Sequence, residues 1–195
     1  MQNVELTEEF ISNAIDYCQS INGDAYSSNY AYDQEHYVNA GRFFMYVDQT
    51  VMEEPVEEVS DSFLSNFTDI RIRAITRESR QQYPHAFSCL FETEIGKAKG
   101  VYKHIDQNAS DGWKHLRINI MLQAGDDGGH PIIGNKMYEV KTGEAWSLWA
   151  GTDTHSATPV KGKTLRVLLS LGYHVHPEDV TQCKRVLSNI VDYNT

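Results

Sequence analysis

The chain has 195 residues, of which 41% are hydrophobic and 23% are charged, a composition typical of one folded domain rather than of a disordered segment. Its 17 basic and 27 acidic side chains give a net charge of −10, which disfavours nucleic acid as a partner because phosphate backbones would be repelled. No apolar run approaches the roughly 18 residues of a membrane span, and the acidic N-terminus lacks the apolar segment of a signal peptide, so we expect a single cytoplasmic domain over residues 1–195.

The N-terminal part, about residues 1–85, is predicted to mix helices and strands. Apolar residues at helical spacing and Thr7 as N-cap indicate a first helix. The predicted elements are a helix at 7–21, a polar loop at 22–36, a strand at 41–48, a helix after Pro55 within 53–67 and a strand at 69–77. The widely spaced Cys18, Cys89 and Cys183 suggest reduced, buried thiols.

Residues 86–175 are denser in strand patterns. Short runs separated by Gly, Asp, Asn or Pro are AFSCLFETEI, KGVYKHID, HLRINIMLQ, KMYEVK, EAWSLWA and TLRVLLSLGY. They favour a mainly β fold with flanking helices, for which a double-stranded β-helix (jelly roll, cupin-like) is the leading choice. The segment DDGGHP at 126–131 is predicted to be a hairpin turn, and a closing helix is predicted at about 177–193.

Two histidines and one aspartate have the spacing of a metal-ligand set. His104 and Asp106 form a His-x-Asp pair that shares a face if it lies on a strand, and His155 follows after several predicted strands. Two imidazoles and one carboxylate on one face of iron(II) leave three coordination positions open. A second His-x-acid pair, His176-Pro177-Glu178, fits a helix start better, and no histidine follows it.

Arg166 stands in an apolar run, between Leu165 and Val167. Burying its guanidinium there is costly without an anionic partner. A buried arginine could hold one carboxylate of a keto-diacid through paired charge-assisted hydrogen bonds, while the other carboxylate and the keto oxygen chelate the iron. The alternative is an arginine on the outer face of the sheet.

The stretch from Tyr102 to Tyr173 resembles the Fe(II)/2-oxoglutarate-dependent oxygenases, in the small prolyl-hydroxylase-like group with a jelly-roll core. The matching pieces, in order, are KHID, RINIML, DDGG, GEAWSLW, THSATPV and LRVLLSLGY. The resemblance implies that His104, Asp106 and His155 bind the iron and that Arg166 anchors 2-oxoglutarate. It implies Fe(II), 2-oxoglutarate and O2 as cofactor and co-substrates, with ascorbate as a further candidate.

Further side chains are candidates for ligand contacts. Many relatives carry Ser or Thr two residues after that arginine, where this chain has Leu168. The candidates for holding the co-substrate are therefore Tyr102, Asn119 and Ser170, and those for contacting the substrate are Arg117, Trp146 and Trp149. The two tryptophans could instead belong to the core. His115 and His130 are predicted to be ordinary surface residues.

The predicted reaction is hydroxylation of a C–H bond in a peptidyl residue or a small molecule, with release of succinate and CO2. The net charge suits a basic peptide at least as well as an anionic substrate. Two alternatives are a cupin-like metalloenzyme that does not use 2-oxoglutarate and a jelly-roll binding module without a catalytic metal. Arg166 weighs against the first, and the set of His104, Asp106 and His155 weighs against the second.

Overall fold

A computed structural model describes residues 6–20, 41–47, 52–65, 83–92, 100–108 and 111–178. The helices are α1 (Glu8–Ser20) and α2 (Val56–Ser65). The strands are β1 (Arg42–Tyr46), β2 (Ala86–Leu90), β3 (Val101–His104), β4 (Lys114–Gln123), β5 (Asp127–Gly128), β6 (Pro131–Ile133), β7 (Lys136–Met137), β8 (Ala145–Leu148), β9 (His155–Ala157), β10 (Val160–Lys161) and β11 (Arg166–Val175). Neither helix is long and apolar enough to cross a membrane.

Two larger sheets build the core of the fold. The major sheet has the order β1-β2-β11-β4-β8, the minor sheet has the order β3-β9-β6-β7, and β5 pairs with β10 in a separate ribbon. All these pairs are antiparallel. Residues of both sheets line one cavity between them, which is the arrangement of a double-stranded β-helix. This confirms the predicted fold class.

The major sheet separates the hydrophobic core from the cavity. Alternate residues of β11, among them Val167, Leu169 and Leu171, pack on the side of the helices. The residues between them, Arg166, Leu168 and Ser170, line the cavity. Every residue of β11 is buried, since the sheet is covered on both faces. The side-chain alternation of a strand therefore determines which residues stabilise the fold and which can bind a ligand.

The helices seal the outer face of the major sheet. Helix α1 buries its apolar stripe of Phe10, Ala14 and Cys18 in this core, and each large apolar side chain so buried contributes about 1.5–3 kcal/mol. The Thr7 hydroxyl accepts a hydrogen bond from the Phe10 N–H at 3.1 Å, which confirms Thr7 as the N-cap. Cys18 and Cys89 are buried free thiols, as predicted.

Two predictions about the strands were wrong. The segment 126–131 is not a hairpin turn, because β5 pairs with β10 whereas β6 pairs with β9. Its glycines let the chain cross from the ribbon to the minor sheet. The strand predicted over KMYEVK is limited to Lys136–Met137. The predicted loop at 22–36, the strand at 69–77, Cys183 and most of the helix at 177–193 lie outside the described residues.

Candidate active site

Strand pairing brings the three predicted metal ligands together. His104, at the end of β3, is the register partner of His155, at the start of β9, and their rings lie 4.2 Å apart between centroids. Asp106 follows β3, and its Oδ1 lies 3.3 Å from His104 Nε2 and 3.8 Å from His155 Nε2. The ligand atoms of all three residues lie within 4.8 Å of one another. They can therefore coordinate a single ion.

Backbone carbonyls orient both imidazoles. His104 Nδ1 donates a hydrogen bond to the Tyr102 carbonyl at 2.7 Å, and His155 Nδ1 donates one to the Asp153 carbonyl at 2.9 Å. Hydrogen bonds of this kind fix the tautomer and the ring orientation of metal-binding histidines. In both residues Nε2 is the nitrogen that faces Asp106 and is available to a metal.

The pKa shifts keep the Asp106 carboxylate ionised and act in opposite directions on the two histidines. Burial raises the pKa of Asp106, but the hydrogen bond with His104 and the charges of His155 and His115 outweigh this effect and bring the pKa to about 2. Burial lowers the pKa of His155, whereas the hydrogen bond to Asp106 raises the pKa of His104. A carboxylate that stays ionised beside two imidazoles is the donor set of non-haem iron(II) sites.

His115 is a part of this site that the sequence analysis missed. Its side chain is buried, its ring stacks on Tyr83 with centroids 3.6 Å apart, and its Nδ1 lies 3.6 Å from Asp106 Oδ2. Burial, and then the charge of Arg117, lower the pKa of His115 to about 3, so the ring is neutral. The surface prediction was wrong because Tyr83, distant in sequence, covers the start of β4. His130 is half-buried and does not line the cavity.

Among the residues that the structure describes, the second His-x-acid pair belongs to no group that could hold a metal ion. His176 Nδ1 lies 3.9 Å from Glu178 Oε2, and the Glu178 side chain is 87% exposed. Within the described ranges, His104, Asp106 and His155 are the one group of three such side chains with ligand atoms in reach of an ion.

The three residues open onto a cavity of about 560 Å³ between the two sheets, within the size range of small-molecule sites. The predicted site residues that line it are His104, Asp106, His155, Arg117, Asn119, Trp146, Arg166 and Ser170. Strands from both sheets therefore bring most of the predicted set to one place.

Arg166 is a buried cation at the cavity wall. Its side chain is 2% exposed, its Nε has no hydrogen-bond partner, and it forms no ion pair with any described carboxylate. Gly129 makes room for it, since a Cβ there would lie 3.2 Å from Arg166 Cγ and Cδ. Burial lowers the pKa of Arg166 to about 10, which leaves the guanidinium charged at neutral pH. An anionic ligand would compensate this charge.

Polar side chains of the cavity wall come from three strands. Ser170 on β11 is the register partner of Asn119 on β4, and both line the cavity. Leu168 is the register partner of Ser88 on β2, whose side chain also lines the cavity. Many relatives carry Ser or Thr at the position of Leu168. In this chain Ser88, the register partner of Leu168, offers a hydroxyl instead. No local pattern could have revealed this residue, because the pairing of β2 with β11 is long-range.

Two candidate ligand contacts are corrected by the structure. Tyr102 is 41% exposed and is not part of the cavity wall. The register of β3 against β9 shifts between Val101 and His104, and this irregularity removes the shared face that a regular strand would give Tyr102 and His104. Trp149 packs in the core on the helical side, whereas Trp146 lines the cavity.

Comparison with known proteins supports the fold through structure alone. No protein-family model matches the chain, and no curated protein matches it in sequence. A prolyl-4-hydroxylase from Pseudomonas putida is similar with a TM-score of 0.54 and 17% identity, over 90% of each chain. The nickel complex of the non-haem monooxygenase ThoJ has a TM-score of 0.51 and 12% identity, over 89% of this chain and 71% of that one. Both similarities establish the double-stranded β-helix fold.

Proposed function

We propose that this protein is a non-haem iron(II) oxygenase that uses 2-oxoglutarate to hydroxylate a C–H bond of a second substrate. One observation carries the proposal: a His104, Asp106 and His155 cluster opens onto the same cavity as the buried Arg166, which has no anionic partner among the described residues. A cation-binding set and an anion-binding set in one cavity suit a metal together with a dicarboxylate ligand.

Each residue has a distinct role in this proposal. His104 and His155 bind the metal through Nε2 and Asp106 through Oδ1, which leaves open coordination positions. Arg166 binds the distal carboxylate of 2-oxoglutarate, Ser88 on the neighbouring strand offers a hydroxyl, and Asn119 and Ser170 offer hydrogen bonds further along the same cavity wall. Bound iron(II) would supply the chemistry of O2, of which one oxygen atom enters succinate as 2-oxoglutarate loses CO2 and the other enters the substrate C–H bond.

The first test is anaerobic titration of the protein with iron(II) and then 2-oxoglutarate, followed by visible absorbance and melting temperature. We expect a weak charge-transfer band on addition of 2-oxoglutarate and stabilisation by each ligand, about 2.7 kcal/mol at a concentration of about 100 Kd. His104→Ala should remove both responses. His176→Ala is the matched control, because this histidine also belongs to a His-x-acid pair but lies outside the cluster.

The alternatives give different results in this titration. Stabilisation by iron(II) without any response to 2-oxoglutarate would favour a metalloenzyme that acts directly on its substrate. A melting temperature that neither ligand changes would favour a binding module without a catalytic metal. Under air, succinate release from 2-oxoglutarate by the wild type and its loss in His104→Ala would complete the test.

A further inference from the structure

Three arginines line the cavity, and Arg117 lies far from Arg166, whereas the charge of Arg42 acts on Arg166. Arg117 on β4 is the register partner of Gly172 on β11, whereas Arg166 lies six positions earlier on β11, about 20 Å along the strand. The five-carbon chain of 2-oxoglutarate is much shorter than this separation. If Arg166 holds 2-oxoglutarate, Arg117 is left for another ligand.

The fold makes room for the Arg117 guanidinium. A Cβ at position 172 would lie 2.7 Å from Arg117 Nη1, so glycine at this position allows the guanidinium to cross the neighbouring strand. Nη1 also donates a hydrogen bond to the Pro84 carbonyl at 2.9 Å. The side chain is thus held at the cavity wall by the backbone rather than by an acid.

Asp106 is the one carboxylate among the described residues whose charge acts on Arg117, and it does so without an ion pair. Arg117 forms no ion pair with a carboxylate of the described residues. Asp106 is the sole acid among the described residues that line the cavity, and the proposed function commits it to the metal. Burial first, and then the positive charge of Arg117, lower the pKa of His85 to about 4. The guanidinium therefore places a positive potential on its surroundings.

The balance of charges indicates what Arg117 would bind. In the proposed function, a divalent metal, the Asp106 carboxylate, doubly charged 2-oxoglutarate and the Arg166 guanidinium together carry no net charge. Two further guanidiniums of the cavity wall remain, Arg42 and Arg117. The charge of Arg42 acts on Arg166, His104 and His155, at the metal and co-substrate end of the cavity, so Arg117 is the cation that we assign to the substrate. Tyr46 and Tyr83 lie beside it, and apolar side chains from other strands, including Phe44, Ile132 and Leu148, also line the cavity.

Building on the proposed function, we infer that Arg117 binds the carboxylate of the primary substrate, and that this substrate is a small carboxylic acid with an apolar body rather than a residue within a peptide chain. A planar guanidinium pairs with a carboxylate through two parallel hydrogen bonds, which would fix the distance between the acid group and the oxidised carbon. The −10 net charge of the chain does not predict an anionic substrate, because the charge of the cavity wall is opposite to that of the whole chain.

The test compares acids with their neutral amides. The wild type, loaded with iron(II) and 2-oxoglutarate without oxygen, receives each of three pairs: N-acetyl-L-leucine and its amide, 3-phenylpropionate and its amide, and L-proline and its amide. Melting temperature measures binding. We expect acids to stabilise the protein and amides to have no effect, and Arg117→Gln to weaken binding of the acids about 10- to 100-fold. Arg117→Lys keeps the charge without the planar pairing and should give an intermediate loss, which preserves the test if Arg117→Gln does not fold.

The outcomes separate this inference from the proposed function. The inference is wrong if acids and amides stabilise the protein equally, or if no acid stabilises it at millimolar concentration. It is also wrong if a peptide with both ends blocked stabilises the protein, or if acids still bind to Arg117→Gln. The charge-transfer band should persist in Arg117→Gln. If the wild type lacks this band, the proposed function fails. In that case, acids that bind to the metal-free wild type but not to metal-free Arg117→Gln would still support Arg117 as a carboxylate-binding residue.

Discussion

At the scale of single residues, Arg166 combines a cost to stability with a use in binding. A guanidinium that is 2% exposed and has no ion pair with a described carboxylate loses the free energy of hydration without recovering it from a protein anion. No carboxylate among the described residues recovers this energy, whereas an anionic ligand in the cavity would. The residue is therefore better explained by binding than by folding.

Replacing Arg166 should separate the two effects. We expect Arg166→Met, which keeps an unbranched side chain of similar length, to raise the free energy of unfolding of the ligand-free protein by about 1–2 kcal/mol. The same variant should lose the stabilisation by 2-oxoglutarate. Denaturant unfolding with and without 2-oxoglutarate measures both. Lys161→Met, at an exposed position, is the control and should change neither quantity. A large loss of stability in Arg166→Met would show a structural role instead.

At the scale of elements, the crossing between β5 and β6 depends on glycine backbone geometry. Gly128 has a φ of +80°, and a Cβ at this position would lie 1.9 Å from the Pro159 carbonyl oxygen. The close approach holds the ribbon of β5 and β10 together beside the minor sheet, where β9 carries His155. The crossing thus supports the strand that carries His155 of the candidate metal cluster.

Alanine substitutions at two glycines should have unequal effects. Gly128→Ala combines a disfavoured φ with a backbone collision, so we expect it to lower the free energy of unfolding by about 2–4 kcal/mol. Gly134→Ala is the matched control, because its φ is +63° but nothing lies within 4 Å of the added Cβ. Its cost should be limited to about 1 kcal/mol of backbone strain. Equal losses in chemical denaturation would contradict the close approach at Gly128.

At the scale of the whole molecule, buried neutral histidines link folding to pH. His85 is buried, its Nδ1 accepts a hydrogen bond from the Gly172 N–H at 3.1 Å, and burial is the main cause that lowers its pKa to about 4. In the unfolded chain this histidine has a pKa near 6.5. Between these values the unfolded state binds more protons, so the stability contributed by neutral His85 is lost as the pH falls.

The effect of His85 can be isolated by a variant that keeps the acceptor. In His85→Asn the side-chain oxygen can still accept the Gly172 N–H, but the residue no longer titrates. Between about pH 7.5 and about pH 5, the wild type should lose about 2 kcal/mol of unfolding free energy relative to this variant. Urea unfolding at both pH values measures the difference. Parallel stability profiles for the two proteins would contradict the assignment.

Local patterns in the sequence determined most of the fold class and which residues form the candidate metal-binding cluster. Helical spacing and the Thr7 cap predicted α1, and alternating strand runs predicted the β core, because burial of one face imposes these periods on any chain. The His-x-Asp pair followed by His155 could be recognised because the donor chemistry of a metal site requires these residue types.

Tertiary structure alone decided which remaining side chains reach the cavity. Ser88 and His115 enter the site through strand pairing and coverage by Tyr83, and both depend on residues far apart in sequence. Tyr102 is turned away by a register shift, and Trp149 packs in the core although Trp146 lines the cavity. The position of Arg117 above Gly172 also follows from the pairing of β4 with β11. A sequence pattern predicts which residues share a face of a strand, whereas long-range packing determines which distant residues that face contacts.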